Sequence, residues 1–304
     1  MIMQHFILTR FNLCLWRKDK RGVQTQTEGW LKKRCKLFER YTLPSVCGQT
    51  CQDFKWIILF DEESPAWLRE RVERWRKECH ALIPVGVKRM DDEKMQEAAK
   101  RLGATRSVNG YVHLIFSNAI AKHVKENQRI ITTYLDNDDA LHRDFVAKLQ
   151  QKAAEVEHNT ILSFTPGLQY YTELGIGISM DYRNNHFISL VEDVQVGKPF
   201  RTVYGFGGHY HILKDTRTHV EIIETKPEMM WVEIIHDNNV DNDVKMTTKQ
   251  HLVTNFKANT EHYTLNFYHS NSPRLVWLTR WMPRFVHQFF RRLWHKVFGH
   301  NWNL

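Results

Sequence analysis

Apolar residues along the 304-residue chain gather in short runs set between charged, helix-periodic stretches. His5-Phe-Ile-Leu-Thr-Arg-Phe-Asn12, Phe54-Lys-Trp-Ile-Ile-Leu-Phe60 and Arg129-Ile-Ile-Thr-Thr-Tyr-Leu135 have the length and the β-branched and aromatic content of strands. Residues 81–87 make a shorter one. The spacing of Trp30, Leu31, Cys35, Leu37, Phe38 and Tyr41 predicts a helix over 30–41, ended by Pro44. Pro65 opens a charged helix to about Cys79, and further helices are expected over 93–102, 117–126 and 141–156. Strands alternating with helices argue for a mostly parallel sheet covered on both faces, with ligands bound beyond the carboxyl ends of its strands. After Thr160 the pattern turns to short strand-like pieces at 160–165, 168–173, 186–191 and 200–204, which read as a more antiparallel, loop-rich half. The expected fold is α/β: a Rossmann-type, mostly parallel sheet, a smaller antiparallel half and a C-terminal amphipathic helix.

Composition changes this picture little. With 42% hydrophobic and 25% charged residues, disorder, collagen and coiled coil are excluded. Charge changes it more. Lys and Arg number 43 against 34 Asp and Glu, a net charge of +9 that favours an acidic partner. No acidic residue follows Glu261, whereas Arg274, Arg280, Arg284, Arg291, Arg292 and Lys296 do, so the tail is a separate basic element. From Pro283 to Phe298, apolar pairs at 285/286, 289/290, 293/294 and 297/298 cover one side of a helix, opposite Arg284, His287, Arg291, Arg292 and His295. Such a helix suits an anionic membrane surface, or else packs on the domain or in a dimer. No aromatic-basic strand signature for nucleic acid is present, so nucleic acid is not an expected partner. No apolar run approaches the roughly 18 residues of a spanning helix, and the opening residues are too polar for a signal peptide. Five cysteines, all within the first 79 residues, read as reduced, buried thiols of a cytoplasmic protein, peripheral on the inner face of the membrane.

Candidate chemistry concentrates after the third long strand, at Asp136-Asn137-Asp138-Asp139. Asp136 and Asp138, two apart at a strand end, are hard oxygen ligands able to clamp Mg²⁺ or Mn²⁺ on a diphosphate. Aspartates before a helix also act as N-caps, and Asp139 suits that role ahead of Leu141. Asp61 ends the second long strand, where it would accept hydrogen bonds from a base or a ribose. Arg10 ends the first, placed to meet a nucleotide or its phosphates.

Several segments taken in order resemble the rhamnosyltransferase family, whose architecture is of the glycosyltransferase-A type. They are residues 6–12; Arg34-Cys-Lys-Leu-Phe-Glu-Arg-Tyr-Thr-Leu-Pro-Ser45 with Gln49-Thr50; residues 54–61 with Ser64-Pro65; Thr132-Thr-Tyr-Leu-Asp-Asn-Asp-Asp-Ala-Leu141; residues 187–192 and 202–204; and Trp231 followed by His236-Asp-Asn-Asn239. Tyr134 departs from the arginine expected in the family's motif. The resemblance implies a catalytic domain over 1–255, divided into a nucleotide-sugar half (1–156) and an acceptor half (157–255), with the tail at 256–304. It implies transfer of a sugar from a nucleotide-diphosphate donor, dTDP-rhamnose among the candidates, to a saccharide or lipid-linked saccharide acceptor in surface polysaccharide synthesis. Asp136 and Asp138 would hold the metal, with His236 as a late metal or phosphate ligand, and Asp61 and Arg10 would lie at the nucleotide. Inverting transfer also needs a general base. Glu192 and Asp193, at the end of a strand, are the candidates, with His209 and His211 as alternatives. Two other classes compete. A phosphohydrolase with an Asp nucleophile would place its Asp-x-Asp near the first strand, not after three strand-helix units. A non-enzymatic membrane or nucleic-acid binder would leave the acidic motif without a role.

Overall fold

The computed structural model describes residues 3–13, 24–88, 107–206, 218–236, 250–253, 265, 267 and 270–298. In chain order the strands are β1 (Met3–Arg10), β2 (Lys55–Asp61), β3 (Leu82–Val87), β4 (Gln128–Tyr134), β5 (Ala140–Leu141), β6 (Thr160–Phe164), β7 (Pro166–Tyr171), β8 (Ile176–Asp181), β9 (Ile188–Val194), β10 (His219–Ile223), β11 (Trp231–Ile235) and β12 (Gln250–Leu252). The helices are α1 (Glu28–Leu37), α2 (Leu43–Cys47), α3 (Ala66–Glu78), α4 (Ser107–Ala121), α5 (Phe145–Ala153), α6 (Pro273–Val276) and α7 (Met282–Phe298).

Seven strands form one sheet in the order β10-β6-β9-β4-β1-β2-β3. Its half from β4 to β3 is parallel throughout, whereas β9 runs antiparallel to both β4 and β6. Apolar runs in β1, β2 and β4 follow from burial on both faces. Phe6, Leu8, Ile57, Leu59 and Ile130 pack with Val112, Phe116 and Ile120 of α4. Their neighbours Ile7, Trp56, Ile58 and Ile131 face the opposite way, into a core shared with Trp30, Leu31 and Cys35 of α1 and Trp75 of α3.

A second, mostly antiparallel sheet has the order β12-β8-β7-β11-β5. The chain enters it directly from β4: residues 135–139 turn, and Ala140–Leu141 then pair with Val232 and Trp231. The acidic tetrapeptide is therefore the joint between the sheets.

Element boundaries differ from the sequence reading in ways that have physical causes. The helix expected over 117–126 spans Ser107–Ala121, because Val112, Phe116 and Ile120 set its buried stripe further upstream. The helix expected over 141–156 starts only at Phe145, since residues 140–141 are drawn into the second sheet. Strand β8 was not expected, and residues 200–204 form no strand. Pro44 does not end its helix. A five-residue π turn (Phe38–Thr42) precedes it, and the Leu43 amide bonds to the Phe38 carbonyl. The same device recurs at Trp277–Trp281, ahead of Pro283. The wider turn makes room for the proline ring and its missing N–H, so the helix continues. The helix expected over 93–102 lies outside the described residues.

The C-terminal helical run starts at Pro273 and continues through the amphipathic segment that begins at Pro283. Trp281 is buried against Tyr171, Leu174, Ile176 and Ile178 of the second sheet. Further along, Val286, Phe289, Phe290, Leu293 and Trp294 are 42–49% exposed. Among the described residues, no helix is long and apolar enough to cross a membrane.

The second sheet packs tightly at Gly167, which lies directly beside Trp231 in the paired strands β7 and β11. A Cβ there would come within 2.1 Å of the Trp231 ring, and that ring is already stacked on Phe187 at 4.8 Å. Gly167→Ala is expected to lower folding stability by about 2 kcal/mol or more. Urea unfolding tests this, and an unchanged midpoint would contradict the packing described.

Candidate active site

Residues 136–139 form a tight turn in which the Asp139 amide approaches the Asp136 carbonyl at 3.5 Å. A four-residue turn brings residues i and i+3 together, whereas an extended chain would align i and i+2. Asp136 and Asp139 therefore converge, joined by His186 two residues ahead of β9. One ligand atom from each of the three lies within 4.8 Å of the others. His186 Nε2 is 2.8 Å from Asp139 Oδ2 and 3.9 Å from Asp136 Oδ2. Asp139 Oδ1 also accepts from the Ile234 amide at 2.8 Å. Burial pushes the Asp139 carboxyl up to about 7, the His186 hydrogen bond opposing this and the Asp138 and Asp136 charges adding to it. Asp136 is the partly exposed member, its side chain 30% accessible, so a ligand reaches the cluster from its side.

Asp138 faces the other way. It is buried, and its Oδ2 accepts from Arg34 Nη1 at 2.5 Å and pairs with His236 Nε2 at 2.8 Å. Burial opposes its ionisation, but Arg34 and His236 outweigh this and hold the carboxyl well below the usual carboxylate range. Arg34 Nη1 also donates to Asn137 Oδ1 at 3.2 Å, and Asn137 Nδ2 donates to the Phe11 carbonyl at 2.6 Å. On the outer side, Arg10 lies against the packed rings of Tyr134 and Tyr204, 5.5 and 5.3 Å from their centroids. It donates to the Tyr134 hydroxyl and pairs with Asp136 at 3.4 Å, and Tyr134 donates to the same carboxylate oxygen at 3.0 Å. Tyr134, where an arginine was expected, thus binds an arginine supplied by β1.

Arg10, Asp61, Asp136, Asp138 and His236 all lie at the carboxyl edge of the parallel strands. Asp61 is fixed there by Asn12, whose Oδ1 accepts from the Asp61 amide at 3.2 Å, and its own Oδ1 accepts from the Glu63 amide at 2.8 Å. Glu192 and Asp193 do not lie there, which corrects their assignment as general bases. Strand β9 is antiparallel to β4, so its carboxyl end sits at the amino edge, with Asp193 opposite Arg129. That is on the order of 20 Å from Asp136 at the usual rise per strand residue. Asp193 is held by Arg129 through two hydrogen bonds of 2.7 and 2.9 Å, and Arg129 also donates to the Ala153 and Val156 carbonyls. Glu192 is buried 3.6 Å from His158. His209, His211, Asn238 and Asn239 lie outside the described residues.

The same reversal of β9 explains why His186 escaped notice: its amino end is the end that reaches the site. Arg34 was quoted only as part of a motif, and Asp139 only as a cap. The turn-forming composition Asp-Asn-Asp was the one local signal for an i, i+3 pairing.

The mostly parallel sheet, the acidic turn at the carboxyl end of a central strand and the smaller antiparallel sheet match the α/β architecture expected from the family resemblance. The family described as "Putative rhamnosyl transferase" matches residues 17–113 and 107–248, and the chain belongs to that family. Among solved structures, TarS (1–349) from S. aureus is similar at 9% identity and TM-score 0.40, covering 76% of this chain and 60% of that one. The chain thus spans about 60% of the length of that structure. The same TarS segment in complex with UDP gives 9% identity and TM-score 0.38 over the same shares. A "Putative Glucose-1-Phosphate Thymidylyltransferase" from Bacillus anthracis gives 10% identity and TM-score 0.36, covering 88% of this chain and 97% of that one. No curated protein matches the chain.

Asp193→Asn is expected to lower stability by about 1 kcal/mol, the scale of a partly exposed ion pair, and to leave the turnover number unchanged. A variant that folds yet loses turnover would restore Asp193 to the chemistry.

Proposed function

We propose that the chain transfers a sugar, rhamnose by its family's name, from a nucleotide-diphosphate donor to a saccharide acceptor, with a divalent cation held by Asp136, Asp139 and His186. The convergence of those three side chains at the carboxyl edge of a parallel sheet carries the reading. The donor set fits such an ion: two carboxylates suit Mg²⁺ or Mn²⁺, and the imidazole tips the preference toward Mn²⁺. Asp138 and His236, the other residues assigned to the metal, would act from behind, as the buried pair that supports the turn.

The cation, when bound, neutralises the charge that develops on the leaving diphosphate. The side chains do the rest. Arg10, a cation beside Asp136 and against two tyrosine rings, would meet the donor's phosphates. Asp61 and Asn12, on the neighbouring strand ends, are placed to take hydrogen bonds from the nucleoside.

The acceptor we favour is lipid-linked, presented at an anionic bilayer. Trp281 fastens the tail to the second sheet, and the exposed Val286, Phe289, Phe290, Leu293 and Trp294 offer an apolar face beside Arg284, His287 and Arg291. Trp and Phe on one side and cations with no acid on the other match an interfacial helix.

A screen of nucleotide sugars, dTDP-rhamnose included, with and without Mn²⁺ tests the chemistry by released nucleoside diphosphate. Metal-dependent release is expected, lowered by roughly two orders of magnitude in Asp136→Asn and Asp139→Asn. Because the raised Asp139 carboxyl must lose its proton to bind a cation, release should climb as pH rises through about 7. Release that is indifferent to Mn²⁺ and to both substitutions would end this reading. For the tail, replacing Phe289, Phe290 and Leu293 together by serine should abolish sedimentation with phosphatidylglycerol vesicles, leaving the fold intact. Sedimentation at the wild-type level would remove the membrane role.

A further inference from the structure

We propose that Arg34 is a positioning residue for the cation site: by holding Asp138 inward, it forces the acidic turn to present Asp136 and Asp139 together. This rests on the cation reading above. Arg34 is remote in sequence, in the last turn of α1, and its guanidinium meets the acidic turn at Asn137 and Asp138. Its Nη1 reaches both Asn137 Oδ1 and Asp138 Oδ2, at 3.2 and 2.5 Å. It cannot easily move. Arg34 is 6% exposed, its guanidinium carbon lies 5.2 Å from the Trp30 ring centroid, and Trp30, Leu31 and Cys35 of the same helix are buried in the core.

The consequence for the turn is geometric. Asp138 is a buried carboxylate, and a buried anion adopts whichever arrangement supplies a cation. With Arg34 in place, that arrangement is inward. The peptide between Asp138 and Asp139 is then oriented so that the Asp139 amide approaches the Asp136 carbonyl, and the two outer carboxylates face His186. Were Asp138 to swing toward the ion site, the same peptide would rotate and carry Asp139 away from the Ile234 amide and His186 that now hold it. Arg34 thus selects an Asp136–Asp139 pair over the Asp136–Asp138 pair that the spacing suggests. Groups that orient metal ligands in this way typically change metal affinity 10- to 100-fold when removed.

The test is an electron paramagnetic resonance titration of Mn²⁺ with the full chain, comparing wild type, Arg34→Lys, Arg34→Met, Asp138→Asn and the double variant Arg34→Met/Asp138→Asn. Circular dichroism melts confirm that each is folded at the assay temperature. Arg34→Met is expected to weaken Mn²⁺ binding about 10- to 100-fold, and Arg34→Lys, which keeps the charge, to recover most of it. The double variant, which leaves no unpaired buried charge and so folds even if Arg34→Met does not, should bind no more weakly than the weaker single variant. Equal or tighter binding in Arg34→Met, or a double variant whose loss is the product of the two single losses, would overturn the proposal. A wild type that binds no Mn²⁺ is a different result: it removes the cation reading itself, and Arg34's role with it.

Discussion

Three of four successive polar residues are withdrawn from water at the point where two sheets join, and the need to pair those groups organises the molecule around them. Asn137, Asp138 and Asp139 are buried, and unpaired carboxylates in such a place are costly. Their partners come from separate parts of the chain: Arg34 from α1, the Phe11 carbonyl after β1, His186 ahead of β9, and Ile234 and His236 from the end of β11. Each contact ties another element to the joint. The first sheet, the second sheet and the first helix are thereby held by one short turn.

Electrostatics divides this cluster into two layers. Asp138 is neutralised from within by Arg34 and His236, so it is firmly ionised and satisfied. Asp139, closer to Asp136 and deeper than it, sits where burial and like charge disfavour ionisation. An arrangement in which one carboxylate is settled and its neighbour is left in want of positive charge is suited to receiving a cation. In the proposed cation site the same motif would yield a supporting group and a receiving pair, and the turn rather than the spacing sets which aspartates converge.

Strand direction has the largest effect on which side chains can take part. The four parallel strands bring Arg10, Asn12, Asp61 and Asp136 to one edge without further help. Because β9 is inserted antiparallel beside β4, its first residues reach that edge and its last ones, Glu192 and Asp193, reach the other. There Asp193 joins Arg129 in bracing the end of α5, a structural duty that an acidic strand end also performs well.

The strands β1, β2 and β4, the helix after Pro65, the acidic strand ends and the basic, aromatic tail were all legible in the sequence. Those features are local: apolar runs, helical periodicity and capping residues act through near neighbours in the chain. The π turns that carry the helices through Pro44 and Pro283 left no such mark, because their cause is the fit of each helix against its surroundings. Nor could the sequence place His186 beside Asp139, Arg34 beside Asp138, or Asp193 beside Arg129 and away from the site. Those pairings join residues 47, 104 and 64 positions apart, and sheet order and strand polarity decide them. Residue types and spacing settled what chemistry the chain carries, and only the folded topology settled which atoms share a site.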